Sequence, residues 1–234
     1  MRVLIVSEEL PKDVNFGEER IVLSVIDSKK FKGRGIIEKR KSIRLNGDNH
    51  FVTLGNPAEE VAKYSIALNV DFVVLQDVNL GLKVALNTPK PILILKGKDP
   101  FKSGLICYTP VLFNPMIKKK IESLPFEELY LLHVLEPIVP HRAKVNSKAQ
   151  DVKKFLKNVE MKLEKVKGVH IRLGDPSNEI LKTAEELKVT CVVLSTDIKG
   201  KGLGKTTEKV AKESKSSVLI WRDLIKRNGF IQNV

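Results

Sequence analysis

One stretch of this chain is written twice. Leu54-Gly55-Asn56-Pro57-Ala58-Glu59-Glu60-Val61-Ala62-Lys63 lies over Leu173-Gly174-Asp175-Pro176-Ser177-Asn178-Glu179-Ile180-Leu181-Lys182, and Leu68–Leu75 lies over Leu187–Leu194 without a gap, all at an offset of 119. Farther on, Lys83-Val84-Ala85 pairs with Lys209-Val210-Ala211, and Ile92-Leu93-Ile94 with Val218-Leu219-Ile220. The offset there is 126, so the second copy holds seven extra residues in the intervening loop. Upstream, Val3–Val6 pairs with Gly104–Cys107, and Ser24–Asp27 with His133–Glu136. Two copies of one unit of roughly 100–130 residues fit this pattern better than one large domain. The joint falls in the polar Gly/Pro segment Lys96-Gly97-Lys98-Asp99-Pro100, which gives domains 1–98 and 99–234.

Each copy reads as strands alternating with helices. Leu129–Leu135 is apolar nearly throughout, as a strand buried on both faces of a parallel sheet would be. Leu105–Tyr108, Val169–Leu173, Cys191–Leu194 and Val218–Trp221 supply the other strands of the second copy. Helices are expected over Pro115–Ser123, Ser147–Val166, Asn178–Leu187 and Thr207–Ser214. Val152, Phe155, Leu156, Val159 and Leu163 stand at helical spacing in the second of these. Short strand-helix connections imply right-handed crossovers and a parallel sheet, an α/β fold. In the first copy Ser28–Leu45 stands where the middle helix belongs. It holds eight basic residues among eighteen and little apolar periodicity, so it reads as an exposed or partly irregular connection.

Charge and cysteine usage bound the function. The 234 residues carry a net charge of +13, divided as +4 over residues 1–98 and +9 over the rest, so no single basic tail marks a nucleic-acid site. The runs Lys39-Arg40-Lys41 and Lys118-Lys119-Lys120 lack interleaved aromatics, and base stacking is not suggested. Electrostatic association with nucleic acid is therefore a minor reading. Cys107 and Cys191 lie inside apolar runs, as buried thiols of a reducing compartment do, and neither they nor the four histidines have metal-ligand spacing. The N-terminus turns polar at Ser7-Glu8-Glu9, too soon for a signal peptide, and no stretch is long enough for a membrane helix. A cytoplasmic protein is expected. No Ser-x-x-Lys, Gly-x-Ser-x-Gly or His-Glu-x-x-His constellation appears, so no catalytic residue is assigned. His133, in mid-strand, reads as a core histidine, and Glu59-Glu60 and Glu185-Glu186 as solvated helix faces.

Glu128-Leu129-Tyr130-Leu131-Leu132-His133-Val134-Leu135-Glu136-Pro137, the Gly174-Asp175-Pro176 turn with its helix, Val192-Val193-Leu194, and a glycine-containing loop before Thr207-Glu208-Lys209-Val210 together resemble the universal stress protein family. The resemblance covers residues 102–222 and, more weakly, the first copy, and the pair looks like a tandem member. It implies two adenine-nucleotide-hydrolase-like domains, each a five-stranded parallel sheet of order 3-2-1-4-5 flanked by helices. It also implies that their last strands, Ile92–Leu95 and Val218–Trp221, pair to form an internal pseudo-dimer. Many members bind ATP or related adenine nucleotides at the carboxyl ends of the strands, where open α/β sheets place ligands in general.

Carried over position by position, the resemblance places nucleotide contacts in the second copy at Thr109, Val134, Gly174, Ser195, Thr196 and Gly200. Gly202, Gly204, Lys205 and Thr206 complete the set. The acidic residue that ends the first strand in ATP-binding members falls at Glu8 in the first copy but at the uncharged Thr109 in the second. Gly55 and Gly174 either let backbone approach a ribose or serve a tight strand-to-helix turn.

The phosphate loop of ATP-binding members resembles Gly, two residues, Gly, nine residues, then Gly with Ser or Thr. Here Ser195 replaces the first glycine, Gly204 takes the last, Lys205 replaces the hydroxyl residue, and the loop is about four residues short. Three glycines with Lys199, Lys201 and Lys205 suit either an anion site or a flexible basic loop, and Asp197 would oppose a phosphate if it pointed inward. Gly204-Lys205-Thr206 mimics the end of a P-loop, but Lys199 stands where that signature needs glycine. Gln76–Gly81, with one glycine, gives no phosphate cradle in the first copy. The expected function is regulatory sensing of adenine nucleotide (ATP or AMP, with Mg) or another anion by the second copy. A nucleotide-free protein-interaction module is the alternative, and further homo-oligomers are open to either.

Overall fold

The structure, a computed structural model, describes residues 1–7, 16–43, 49–107, 122–135, 164–195 and 202–221. In chain order the first half runs β1 (Arg2–Val6), β2 (Glu19–Asp27), α1 (Arg34–Ser42), β3 (His50–Gly55), α2 (Pro57–Ala67), β4 (Phe72–Leu75), α3 (Val78–Asn87) and β5 (Ile92–Ile94). The second runs β6 (Ser103–Cys107), β7 (Glu128–Leu135), β8 (Val166–Leu173), α4 (Pro176–Glu186), β9 (Cys191–Ser195), α5 (Lys205–Glu213) and β10 (Ser217–Trp221).

All ten strands form one sheet in the order β3-β2-β1-β4-β5-β10-β9-β6-β7-β8. Each half is therefore parallel and ordered 3-2-1-4-5, as expected. The halves meet through β5 and β10, which pair antiparallel with Leu93 opposite Leu219. The register repeats as faithfully as the sequence: Leu4 pairs with Ile21 and Val73, and Leu105 with Tyr130 and Val192.

Side chains alternate across the sheet and build two cores. On one face Leu4, Leu23, Val73, Leu105 and Val192 pack with Val61 of α2, Leu82 and Val84 of α3, Ile180 of α4 and Val210 of α5. On the other, Ile5, Val74, Leu93, Ile106 and Leu219 meet Phe101, Leu124 and Phe126. Phe16, Phe72 and Phe126 each place a ring within 6 Å of the Phe101 ring, edge to face. Strands buried on both faces are apolar throughout, which is why the sequence pattern revealed them.

Local chemistry sets the helix ends. Asn56 and Asp175 cap α2 and α4 by accepting the N–H of Ala58 at 3.1 Å and of Asn178 at 2.9 Å, and a proline follows each cap. Both helices close on a residue with positive φ, Asn69 at 45° and Lys188 at 51°. The N–H groups of Val70 and Val189 then return to Ser65 and Ala184 at 3.2 Å.

Three sequence readings need correction. The basic segment 28–45 is helical over Arg34–Ser42, although that helix buries none of its side chains. Its Glu, Lys and Arg residues favour a helix without any apolar stripe to announce one. The helix expected over 147–166 does not reach its end, since residues 164–165 turn and Val166 starts β8; residues 147–163 lie outside the described residues. Helix α5 begins at Lys205, two residues before Thr207, because Gly204 supplies the positive φ of 86° that turns the chain into it. Of the helix expected over Pro115–Ser123, residues 115–121 lie outside the described residues.

Candidate functional site

The carboxyl ends of β6 to β9 bring the ends of the second half's elements to one edge. Val134 sits one residue before the end of β7, opposite Arg172 of β8. Gly174 follows β8 and donates its N–H to the Leu135 carbonyl at 3.0 Å. A Cβ on Gly174 would lie 3.1 Å from the Glu179 side chain, and one on Gly55 only 2.8 Å from that of Glu60. Packing of the following helix's glutamate thus accounts for glycine at both turns. Ser195 ends β9, opposite Trp221. Gly202 and Gly204 precede α5, and Lys205 and Thr206 open it. Thr109, Thr196 and Gly200 lie outside the described residues, as do Glu8, Asp197, Lys199 and Lys201.

The start of α5 differs from those of the other helices packed on the sheet. Asn56, Asp77 and Asp175 each place a side-chain oxygen on the first turn of α2, α3 and α4, whereas Gly204 offers no side chain to α5. A Cβ built on Gly204 would meet nothing within 4 Å, so this turn faces open space. Helix N-termini carry unsatisfied N–H groups and a partial positive charge, which Lys205 augments. Glu208, also in the first turn, works against them.

Two residues that the sequence did not single out shape the neighbourhood. Lys209 of α5 donates its ammonium to Asn178 Oδ1 of α4 at 2.8 Å and so ties the two helix starts together. Their repeat partners, Lys83 and Glu59, were visible in the alignment, and that correspondence was the available signal. Bonds from the Asn178 N–H and the Ser177 hydroxyl, aided by the nearby Lys209 charge, hold the Asp175 carboxyl below the usual carboxylate range. A depressed carboxyl contributes stability that is present above the unfolded-state value and lost as pH falls through the folded one. Urea midpoints of the parent chain should accordingly drop more steeply between pH 5 and 3 than those of Asp175→Asn. Parallel curves would exclude this contribution.

The first half has its own opening at the corresponding edge, a cavity of about 630 Å³ between the carboxyl ends of β1 and β2 and helices α1 to α3. Here the first turn of α3 is closed by Asp77, which accepts the Leu80 N–H at 3.0 Å.

Among the described residues no group of three His, Cys, Asp or Glu side chains could hold a metal ion, and no helix is long and apolar enough to cross a membrane. Both cysteines are free, and burial pushes both thiols up from their ordinary range.

Comparison with solved structures gives the same fold along most of the chain. A universal stress protein from Archaeoglobus fulgidus aligns with a TM-score of 0.63 at 19% identity, over 94% of this chain and 96% of its own. A putative universal stress protein from Pseudomonas aeruginosa aligns at 0.61 and 14% identity, over 95% of this chain and 94% of its own. A functionally unknown protein, also from Pseudomonas aeruginosa, gives 0.59 and 15% over the same shares. No curated protein matches the chain. The sequence model described as the Universal stress protein family matches residues 125–222, the stretch that runs from β7 through β10.

Proposed function

We propose that the chain is a regulatory protein of universal stress protein type, built of two units (1–98 and 99–234), acting in the cytoplasm. Its second unit takes an adenine nucleotide or another anion at the start of α5. The observation that carries this reading is the α5 N-terminus: it has no side-chain cap, opens on Gly204 and is flanked by Lys205 and Thr206. Anions are favoured at such helix ends because free N–H groups and the helix dipole act together. The family match over residues 125–222 covers this loop and supports the reading.

The test is direct. Protein purified from cells and then denatured should release an adenine nucleotide, and adding ATP with Mg to nucleotide-free protein should raise its melting temperature. Gly204→Val with Lys205→Ala should abolish that rise, since the branched side chain disfavours the positive φ and the charge is lost. A rise that survives both changes places the ligand elsewhere.

A second reading, a nucleotide-free interaction module, has one observation in its favour. The outermost strands β3 and β8 carry large exposed apolar side chains, Phe51 and Leu54 on one and Leu173 on the other. Absence of both the released nucleotide and the melting shift would favour it.

A further inference from the structure

The sheet ends in two outer strands, β3 and β8, and they are finished differently. β8 carries Lys167 and Arg172, the latter paired with Glu186 of α4, and it bulges at Lys167, where Val166 and Gly168 face consecutive residues of β7. Charges and bulges are the usual means by which an outer strand is kept from pairing with another chain. β3 has neither. From Asn49 to Asn56 there is no Lys, Arg, Asp, Glu or Pro, and the register with β2 runs unbroken from His50 to Gly55. His50 is turned inward, its Nε2 lying 2.8 Å from Ser24 Oγ.

The hydrogen bonds of β3 show which groups are left over. The Asn49 and Gly55 carbonyls accept the N–H groups of Val22 and Ser28 at 2.9 and 3.1 Å. In a parallel ladder alternate residues turn to the same neighbour, so Phe51 and Thr53 also bond β2, and Val52 and Leu54 point their N–H and C=O groups away from it. Among the described residues no hydrogen bond meets those outward groups. The side chains around them are apolar and exposed, Leu54 to 47% and Phe51 to 37%. A strand of this kind is a template for another strand.

We propose that β3 pairs antiparallel with β3 of a second copy of this chain, about a two-fold axis at Thr53, and so joins two molecules into a dimer. The occupant is a second copy because the strand is its own complement. In that register Val52 lies opposite Leu54 of the other copy, and the two such pairs exchange four backbone hydrogen bonds. On one face the Val52 and Leu54 side chains of both copies meet. On the other, Phe51 covers Gly55 of the second copy, a position with no side chain of its own. The chain already uses this chemistry once, where β5 and β10 join the halves antiparallel. A two-fold contact takes the same strand from both copies, and the guarded β8 stops the assembly at two. Paired strands alone cover little area, so the dimer is weak, with a dissociation constant on the order of 10–100 µM. It is independent of any nucleotide at α5.

The experiment is sedimentation equilibrium of the full chain from about 5 to about 500 µM, in about 0.5 M NaCl to screen the +13 charge of each copy. A reversible monomer–dimer equilibrium is expected. Leu54→Lys should weaken it at least about tenfold. Val52→Pro, which removes an outward N–H and none of those bonded to β2, should do the same. Both should keep the parent's circular dichroism spectrum and leave any melting shift with ATP unchanged, which separates this contact from the site at α5. Leu173→Lys on β8 should leave the dimer as it was. Thr53→Cys should give a cross-linked dimer under mild oxidation, since residues opposite one another at such a position lie within disulfide reach. The parent chain, whose two thiols are pushed up by burial, should not. The proposal is overturned if the chain stays monomeric throughout, which would leave β3 to an extended peptide of another protein. It is also overturned if the dimer survives both β3 substitutions, if Leu173→Lys dissociates it, or if Thr53→Cys gives no cross-link.

Discussion

Leu219→Ala is expected to destabilise the protein by about 2–5 kcal/mol, the range for emptying a fully buried leucine site. Leu219 lies mid-strand in β10, has no exposed surface, and faces Leu93 of β5 across the antiparallel seam. Both side chains belong to the core shared with Ile106 and Val193, so the void would open beneath the junction of the halves. Strands β4, β5, β10 and β9 are close-packed there, which leaves little freedom for the cavity to collapse. Leu93→Ala should cost a similar amount, and the double substitution less than the two singles together, because the residues share one site. Urea unfolding followed by circular dichroism reads all three. A loss below about 1 kcal/mol for Leu219→Ala would show that the seam contributes little to stability.

The second large effect concerns a lysine. Lys96 follows β5, and its ammonium donates to the carbonyls of Ala211 at 2.7 Å and Ser214 at 2.6 Å, with Lys212 farther off at 3.4 Å. These carbonyls end α5, where a helix leaves acceptors unsatisfied and a partial negative charge. Burial lowers the Lys96 ammonium from the ordinary lysine range. Its own N–H reaches Ser217 Oγ at 3.1 Å, so backbone and side chain both cross from one half to the other. Lys96→Met keeps the stem and removes the head, and about 1–3 kcal/mol should be lost, as for charged hydrogen bonds to partly buried acceptors. Thermal melting should fall by several degrees. Lys96→Arg, which keeps the charge, should recover part of the loss; equal destabilisation by both would assign the effect to packing of the stem.

The duplicated architecture was readable because its signal is redundant. Strands such as Phe72–Leu75 and Cys191–Ser195 are buried on both faces, so apolar runs could only be interior strands. Paired turns at Asn56-Pro57 and Asp175-Pro176 fixed the register between copies. Helix α1 was not readable, since periodicity reports burial and this helix buries none of its side chains. The start of β8 was obscured by its bulge at Lys167, the extra residue opposite the Leu129–Tyr130 step of β7, where β8 departs from simple alternation.

For the site, sequence comparison pointed to the α5 loop because glycines carry an identifiable pattern. The first-half cavity went unseen for a related reason. Its lining is drawn from residues scattered between Val6 and Asn87, and no local motif records that they converge. Comparison with a glycine loop could find only what the first copy lacks.

The antiparallel meeting of β5 and β10 turns the second half end for end against the first. All strands within a half run the same way, so the two carboxyl edges look out from opposite poles of the molecule. The first-half cavity opens at one pole and helix α5 begins at the other, and the nine residues of α5 alone span about 14 Å. Two openings so placed are too far apart for one small molecule to reach both. This head-to-tail pairing leaves a two-ended molecule, with Lys96 at the first half's carboxyl edge holding the far end of α5.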